Sequence, residues 1–362
     1  DGFVAVAVPD SGQYTVRLNE KSFPDGVTFA KDAPTELKPI VLGQNDRPVI
    51  FRLTDAEQST VSGPTTFERV ASLLASGLRF GLVIALAAVG LSLIFGTTGL
   101  TNFAHGELLT FGAMATWYLN SNNGGLGLPL IIAAVGGVAV SAVFGASFDV
   151  AVYRPLRRRG MPIISQMVVS IGLALATRYF FAVIFGSNTK QFSQYAAQPP
   201  SIDLGPVALR PKDVVIIIVA FLALIAVGLF LQRSRLGTAI RAVSDNPSLA
   251  IASGINDNRV ILLVWAFAGA LGGLAGVMLG ATEGVNWNMG QHVLLVMFAA
   301  VLLGGLGTTF GAMVGGIFVG VVSDLSTFWL DSDLKIVVAL ATLVLVLLVK
   351  PTGVFGVRVR KA

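Results

Sequence analysis

The chain has 362 residues, 54% of them hydrophobic and only 12% charged, with 41 glycines, a formal net charge of +5, two histidines and no cysteine. Soluble domains of this length do not carry that composition, so lipid is the solvent for most of the chain. Disulfides and thiolate metal sites are excluded, a histidine-rich metal centre is not available, and the basic residues sit at the ends of apolar runs, where they report membrane orientation rather than nucleic-acid binding.

The first sixty or so residues differ from the rest. "GQYTVRLNE" alternates Tyr14, Val16 and Leu18 with polar neighbours, the period of a half-buried strand, and "FPDGV" after it is turn chemistry. With "FVAVAV", "KPIVL" and "PVIFRL" this predicts a small antiparallel, sandwich-like β domain over residues 1–62, with no active site. The stretch "GQYTVRLNEKSFPDGV" resembles the carboxypeptidase-regulatory-like or Ig-like β modules of cell surfaces. A start at Asp1, inside a strand-like run, predicts that a signal peptide or further strands precede it.

From Phe67 to the end, apolar runs of bilayer-crossing length recur. Helices are predicted near 70–95, 100–119, 128–152, 163–186, 212–231, 260–281, 291–305, 309–328 and 334–349, so the fold class is a polytopic α-helical membrane protein with eight or nine crossings. Only "GGLGTTFG" separates the seventh from the eighth. The clusters "YRPLRRRG" (Arg154, Arg157, Arg158, Arg159) and "QRSRLGTAIR" (Arg233, Arg235, Arg241), together with Lys350 and "VRVRK", are predicted to face the cytoplasm. Even numbers of helices separate them, which places the β domain outside. Arg79, Lys190, Arg210 and Lys212 then fall on the outer side, fewer and more dispersed.

"GTTGLTNFAHGE" follows the first apolar run, and Gly96, Gly99 and Gly106 predict a helix break there. Lipid cannot satisfy free backbone groups, so a break at membrane depth must be buried in protein or line a water-filled path. Two readings fit: a surface turn in which Thr101 or Asn102 starts the next helix, or a discontinuous element. Residues 233–260 predict short amphipathic helices at the membrane surface, either a solvated loop or a docking element, with Ser244, Asp245 and Asn246 before Pro247 as helix-start signals. Gly269, Gly273, Gly276 and Gly280, and then Gly307, Gly311, Gly315, Gly316 and Gly320, have the three- and four-residue spacing of close helix contacts. Arg178 is expected to snorkel or to pair with another helix, and Asp149 to pair with Arg154.

"GLSLIFGTTGLTNFAHGELLTFGA", "VYRPLRRR", "RLGTAIRAVSDNPSLAIASGIN", "LLGGLGTTFGAMVGG" and "PTGVFG", in this order over residues 75–356, resemble the LivH-type permeases of branched-chain amino acid ABC importers. The resemblance implies a type II ABC importer permease domain over 67–362, in a bacterial plasma membrane with a cytoplasmic C-terminus. It implies as partners a LivM-like second permease, two cytoplasmic ATPases and an extracytoplasmic solute-binding protein. It also implies that Thr97, Thr98, Asn102, His105 and Glu107 lie by the translocation path. Arg241, Asn246, Ala250 and Gly254, in a coupling region within 233–260, would lie against an ATPase. The chain has no G-x-x-x-x-G-K-[ST] loop, so it is expected to be no enzyme and to hold no cofactor, with ATP and magnesium bound by the partners. Urea and short-amide permeases share these motifs, and Phe103 in "NFAHGE" is the residue that favours amino acids. The N-terminal β domain departs from the family pattern and suggests an elaborated outer face. A channel or secondary transporter, with Asn102, His105, Glu107 and Arg178 as an ion site, is the reading of a different class.

Overall fold

The computed structural model describes residues 12–19, 23, 27–29, 35–37, 40–41 and 53–55 near the N-terminus, then 65–122, 124–195, 202–205, 207–350 and 353–356. The chain divides into two compact units, Asp1–Thr65 and Thr66–Ala362. In the first, β1 (Gly12–Gln13) pairs with β5 (Ile40–Val41), β2 (Val16–Arg17) with β4 (Glu36–Leu37), and β3 (Val27–Phe29) with β6 (Leu53–Asp55), all antiparallel. Arg17 and Glu36, directly opposite on β2 and β4, form a cross-strand ion pair. The strands expected over 3–8 and 48–52 lie outside the described residues.

The second unit is helical. It comprises α1 (Thr66–Thr98), α2 (His105–Asn120), α3 (Leu130–Phe148), α4 (Arg154–Arg158), α5 (Ile163–Phe185), α6 (Pro211–Arg233), α7 (Arg235–Asp245), α8 (Pro247–Ala252), α9 (Asp257–Glu283), α10 (Met289–Gly304), α11 (Thr309–Ser326) and α12 (Lys335–Val349). A hairpin of β7 (Ile202–Leu204) and β8 (Val207–Leu209) links α5 to α6. Among the described residues, 7 helices are long and apolar enough to cross a membrane: α1, α3 with its continuation to Arg158, α5, α6, α9, α11, and α12 with the turn before it. By contrast α2 and α10 have 16 residues each. At ~1.5 Å per residue they span about 24 Å, short of a hydrocarbon core of about 30 Å. The eight or nine expected crossings therefore resolve into seven full-length candidates and two shorter helices, because hydrophobicity does not reveal where an apolar stretch leaves the helix.

At the centre is α1, in which every residue from Phe80 to Ile94 is buried. A helix apolar on all sides belongs in the interior, and here α9 and α11 flank it. Close approach depends on residues without side chains. On α11 a Cβ at Gly316 would meet Ala85, and one at Gly320 would meet Gly81. On α9 a Cβ at Gly273 would lie 2.6 Å from Ser141 Cβ, while Gly276 packs on the Leu109 carbonyl and Gly269 on Ser141 and Gly145. Gly311 and Gly315 in turn seat α11 against Gly304 and Ala300 of α10. In lipid, such van der Waals contact replaces the hydrophobic effect as the force between helices. Ser141 Oγ lies 3.0 Å from the Leu108 oxygen and 2.9 Å from the Gly269 oxygen, so its one proton ties α3 to both α2 and α9.

Candidate functional site: a broken helix inside the bundle

After Thr98 the chain stays in the bundle. Gly99, with a φ of +70° that favours glycine, turns it back, and the segment 99–104 returns alongside α1. His105 opens α2 with its Nε2 2.9 Å from the Ala87 oxygen, about three turns before the end of α1. The break is therefore an interior re-entry rather than a surface turn. α10 starts at the same place: the Gly290 amide donates to Thr110 Oγ1 (3.0 Å), and Thr110 donates to the Gly106 oxygen (3.2 Å). A Cβ at Gly106 would lie 2.6 Å from the Gly290 oxygen, so glycine allows the N-terminal ends of α2 and α10 to meet.

Thr97, Thr98, Asn102, His105 and Glu107 each have their own anchor. Thr97 Oγ1 donates to the Leu93 oxygen (2.9 Å) and Thr98 Oγ1 to the Ile94 oxygen (2.6 Å), so both hydroxyls are satisfied within α1. Asn102 Oδ1 accepts from the Ala104 amide (3.0 Å) and the Tyr153 hydroxyl (3.3 Å). Because a carbonyl oxygen only accepts, His105 Nε2 carries the ring proton in its bond to Ala87, and Nδ1 remains a buried acceptor. Glu107 Oε1 accepts from Arg178 Nη2 (2.9 Å) and Nε (3.2 Å), an interior ion pair between α2 and α5. Ser170 Oγ accepts from the Phe103 amide (3.1 Å), a second tie from α5 to the break.

Asn102, His105 and Glu107 are at most 1% exposed. They reach three different elements, so they make no acid–base constellation. Their geometry holds a non-helical segment in place. Among the described residues no three histidine, aspartate or glutamate side chains could share a metal ion.

Sequence reasoning missed Tyr153, Ser170 and Thr110. Tyr153 comes inward because α3 continues through a π-helical turn, Asp149–Tyr153, which also buries Asp149 between Arg157 (2.6 Å) and Arg154 (3.3 Å). Its ring stacks on Trp265 of α9 at 4.7 Å. No spacing rule reports such a turn. Arg178 does not snorkel: it is 9% exposed and its partner is Glu107.

The second candidate region, α7 and α8, is built on side-chain caps. Ser234 Oγ accepts from the Gly237 amide (2.9 Å), Asn246 Oδ1 from Leu249 (3.0 Å) and Asn256 Oδ1 from Arg259 (3.0 Å). Arg241, Asn246 and Gly254 are exposed. Ala250, expected to face a partner, is instead 3% exposed and turned into the bundle, because α8 must bury one side. Its neighbours Leu249 and Ile251 face outward, 64% and 53% exposed. α7 also reaches the broken element: a Cβ at Gly96 would lie 3.0 Å from Ser244 Oγ.

Long apolar helices around an interior, polar, discontinuous segment define a multi-pass membrane protein of the permease class. A family model described as "Branched-chain amino acid transport system / permease component" matches residues 73–347, and the chain belongs to that family. Its relatives include the high-affinity branched-chain amino acid transport system permease proteins LivH of Salmonella typhimurium, 33% identical over 78% of this chain and 94% of the relative, and BraD of Pseudomonas aeruginosa, 34% identical with the same coverage. The ribose import permease protein RbsC of Escherichia coli is 26% identical over 74% of this chain and 82% of its own length. No solved structure matches the chain.

Proposed function

We propose that this chain is the membrane permease subunit of an ATP-driven ABC importer that carries leucine, isoleucine and valine into the cytoplasm. The observation that carries the reading is the family match over residues 73–347 of the helical unit, with LivH and BraD at one-third identity over nearly their full lengths. In this reading the subunit works beside a LivM-like permease, two cytoplasmic ATPases that bind ATP and magnesium, and an extracytoplasmic solute-binding protein. It has no catalytic chemistry and no cofactor of its own. It lies in the bacterial plasma membrane, the N-terminal β domain outside and the C-terminus in the cytoplasm, an orientation supported by the arginine clusters.

The mechanism assigns separate tasks to the two polar regions. ATPase closure moves α7 and α8 through Arg241, the capped turn at Asn246, and the exposed Leu249 and Ile251. The contact between Ser244 and Gly96 passes that motion to the end of α1, immediately before the break. Asn102, His105 and Glu107 hold the re-entrant segment beside the path, and alternation between outward- and inward-open arrangements shifts that segment.

Uptake of labelled leucine into vesicles holding the complete transporter, with isoleucine, valine and urea as competitors, tests the assignment. Competition by the amino acids and dependence on ATP are expected. Competition by urea alone would move the substrate to the amides, and uptake by the lone chain without ATP would sink the importer reading. His105→Ala is expected to reduce uptake while the ATPases still copurify. Arg241→Glu is expected to lose both uptake and copurification.

A further inference from the structure

A groove of about 310 Å³ runs between α1, α6 and α11, away from the broken helix. Its walls are apolar, with Leu82 of α1, Phe221, Leu224 and Gly228 of α6, and Phe310 and Ile317 of α11. Along α6 it extends from Phe221 to Gln232, about three turns or roughly 16 Å. That length matches one leaflet of hydrocarbon, half of a core of about 30 Å. Gly228 leaves the groove open: a Cβ there would meet only the Phe310 ring, at 3.4 Å.

The two ends of the groove differ in what adjoins them. At one the lining stops at apolar Phe221, and the cations nearer the start of α6 include Arg79, paired with Asp213 at 2.6 Å, and Lys212, whose Nζ donates to the Ala281 oxygen (2.9 Å). At the other end Gln232 closes the lining, and Arg233 and Arg235 follow in the last turn of α6 and the first of α7. Both arginines are exposed, and neither has a hydrogen-bond or ion-pair partner among the described residues. An apolar slot one leaflet long that ends in unpaired guanidinium groups is complementary to a single molecule with an acyl chain and an anionic phosphate.

We propose that this groove is a binding site for an anionic phospholipid, one acyl chain lying against Gly228 and the phosphate held by Arg233 and Arg235. The site connects the membrane to α7, the helix that touches the end of α1 at Gly96. A bound lipid would hold the start of α7 at the membrane surface. The inference rests on the membrane location alone, so its failure leaves the substrate and the importer reading untouched.

The test is native mass spectrometry of the full-length chain, with whatever subunits copurify, extracted from nanodiscs of equal parts phosphatidylglycerol and phosphatidylcholine. The wild type is expected to retain phosphatidylglycerol in preference. The double variant Arg233→Gln/Arg235→Gln is expected to lose that preference by about thirtyfold, as removal of two surface cations implies. Gly228→Leu, which fills the slot, is expected to lower retention of both lipids. Equal retention of the two lipids by the wild type, or an unchanged preference in the double variant, would overturn the proposal even if Gly228→Leu fails to fold. So would efficient cross-linking of a cysteine at Ile225 to another protein subunit, because the groove would then be a protein interface.

Discussion

The stretches 97–107 and 234–254 both interrupt apolar helices with glycine and polar side chains, and the fold treats them in opposite ways. In the first, Asn102, His105 and Glu107 are buried, and each is bonded to a different element, at Tyr153, Ala87 and Arg178. In the second, Arg241, Asn246 and Gly254 stay exposed, and the helices α7 and α8 are started by their own caps. The interior interruption adds partners borrowed from other helices to its local bonds, whereas the exposed one is satisfied locally. The interior stretch is therefore sensitive to distant residues and the exposed one to its own sequence.

That contrast can be broken most directly at the Glu107–Arg178 pair. Arg178→Leu leaves an uncompensated interior carboxylate and is expected to cost about 3–5 kcal/mol of unfolding free energy, whereas the double variant Glu107→Leu/Arg178→Leu should recover most of it. Denaturant unfolding of the detergent-solubilised protein measures both, and a single variant as stable as wild type would show that the pair is not a tie. Gly106→Ala comes next. Its Cβ would press on the Gly290 backbone, and the expected loss is about 1–3 kcal/mol with a lowered thermal midpoint. The matching change in the exposed stretch, Gly254→Ala, meets no neighbouring atom, so only its φ of +85° opposes it, at about 1–2 kcal/mol. If Gly254→Ala lowered the midpoint more than Gly106→Ala, the distinction between the stretches would be reversed. The smallest effect is expected from Asn246→Ala, about 1 kcal/mol through the lost cap. Faster amide exchange confined to 247–252 would mark it, and faster exchange reaching α2 would show that the two stretches are one unit.

Much of this was legible in the linear chain where the determining interactions are local. Apolar runs located the long helices, and Asn246 before Pro247, read as a helix start, opens α8 with a cap that reaches only three residues ahead; the caps of Ser234 and Asn256 are equally local but were not read. Gly269, Gly273 and Gly276 had the spacing of a contact face and occupy one. The resemblance placed Ala250 towards a partner, but an alanine among polar residues is equally compatible with either side of a short helix, and here packing turns it inward.

By itself the sequence determined that the chain is a membrane protein, where its long helices lie, and that the helical path breaks between Gly96 and Gly106. Only the tertiary structure decided the depth of that break and its partners. Depth depends on which carbonyl His105 meets and which cation answers Glu107, and those atoms lie 18 and 71 positions away in the chain. The π-helical turn that swings Tyr153 onto Asn102 shifts a side chain by part of a helical turn, a displacement no hydropathy pattern records.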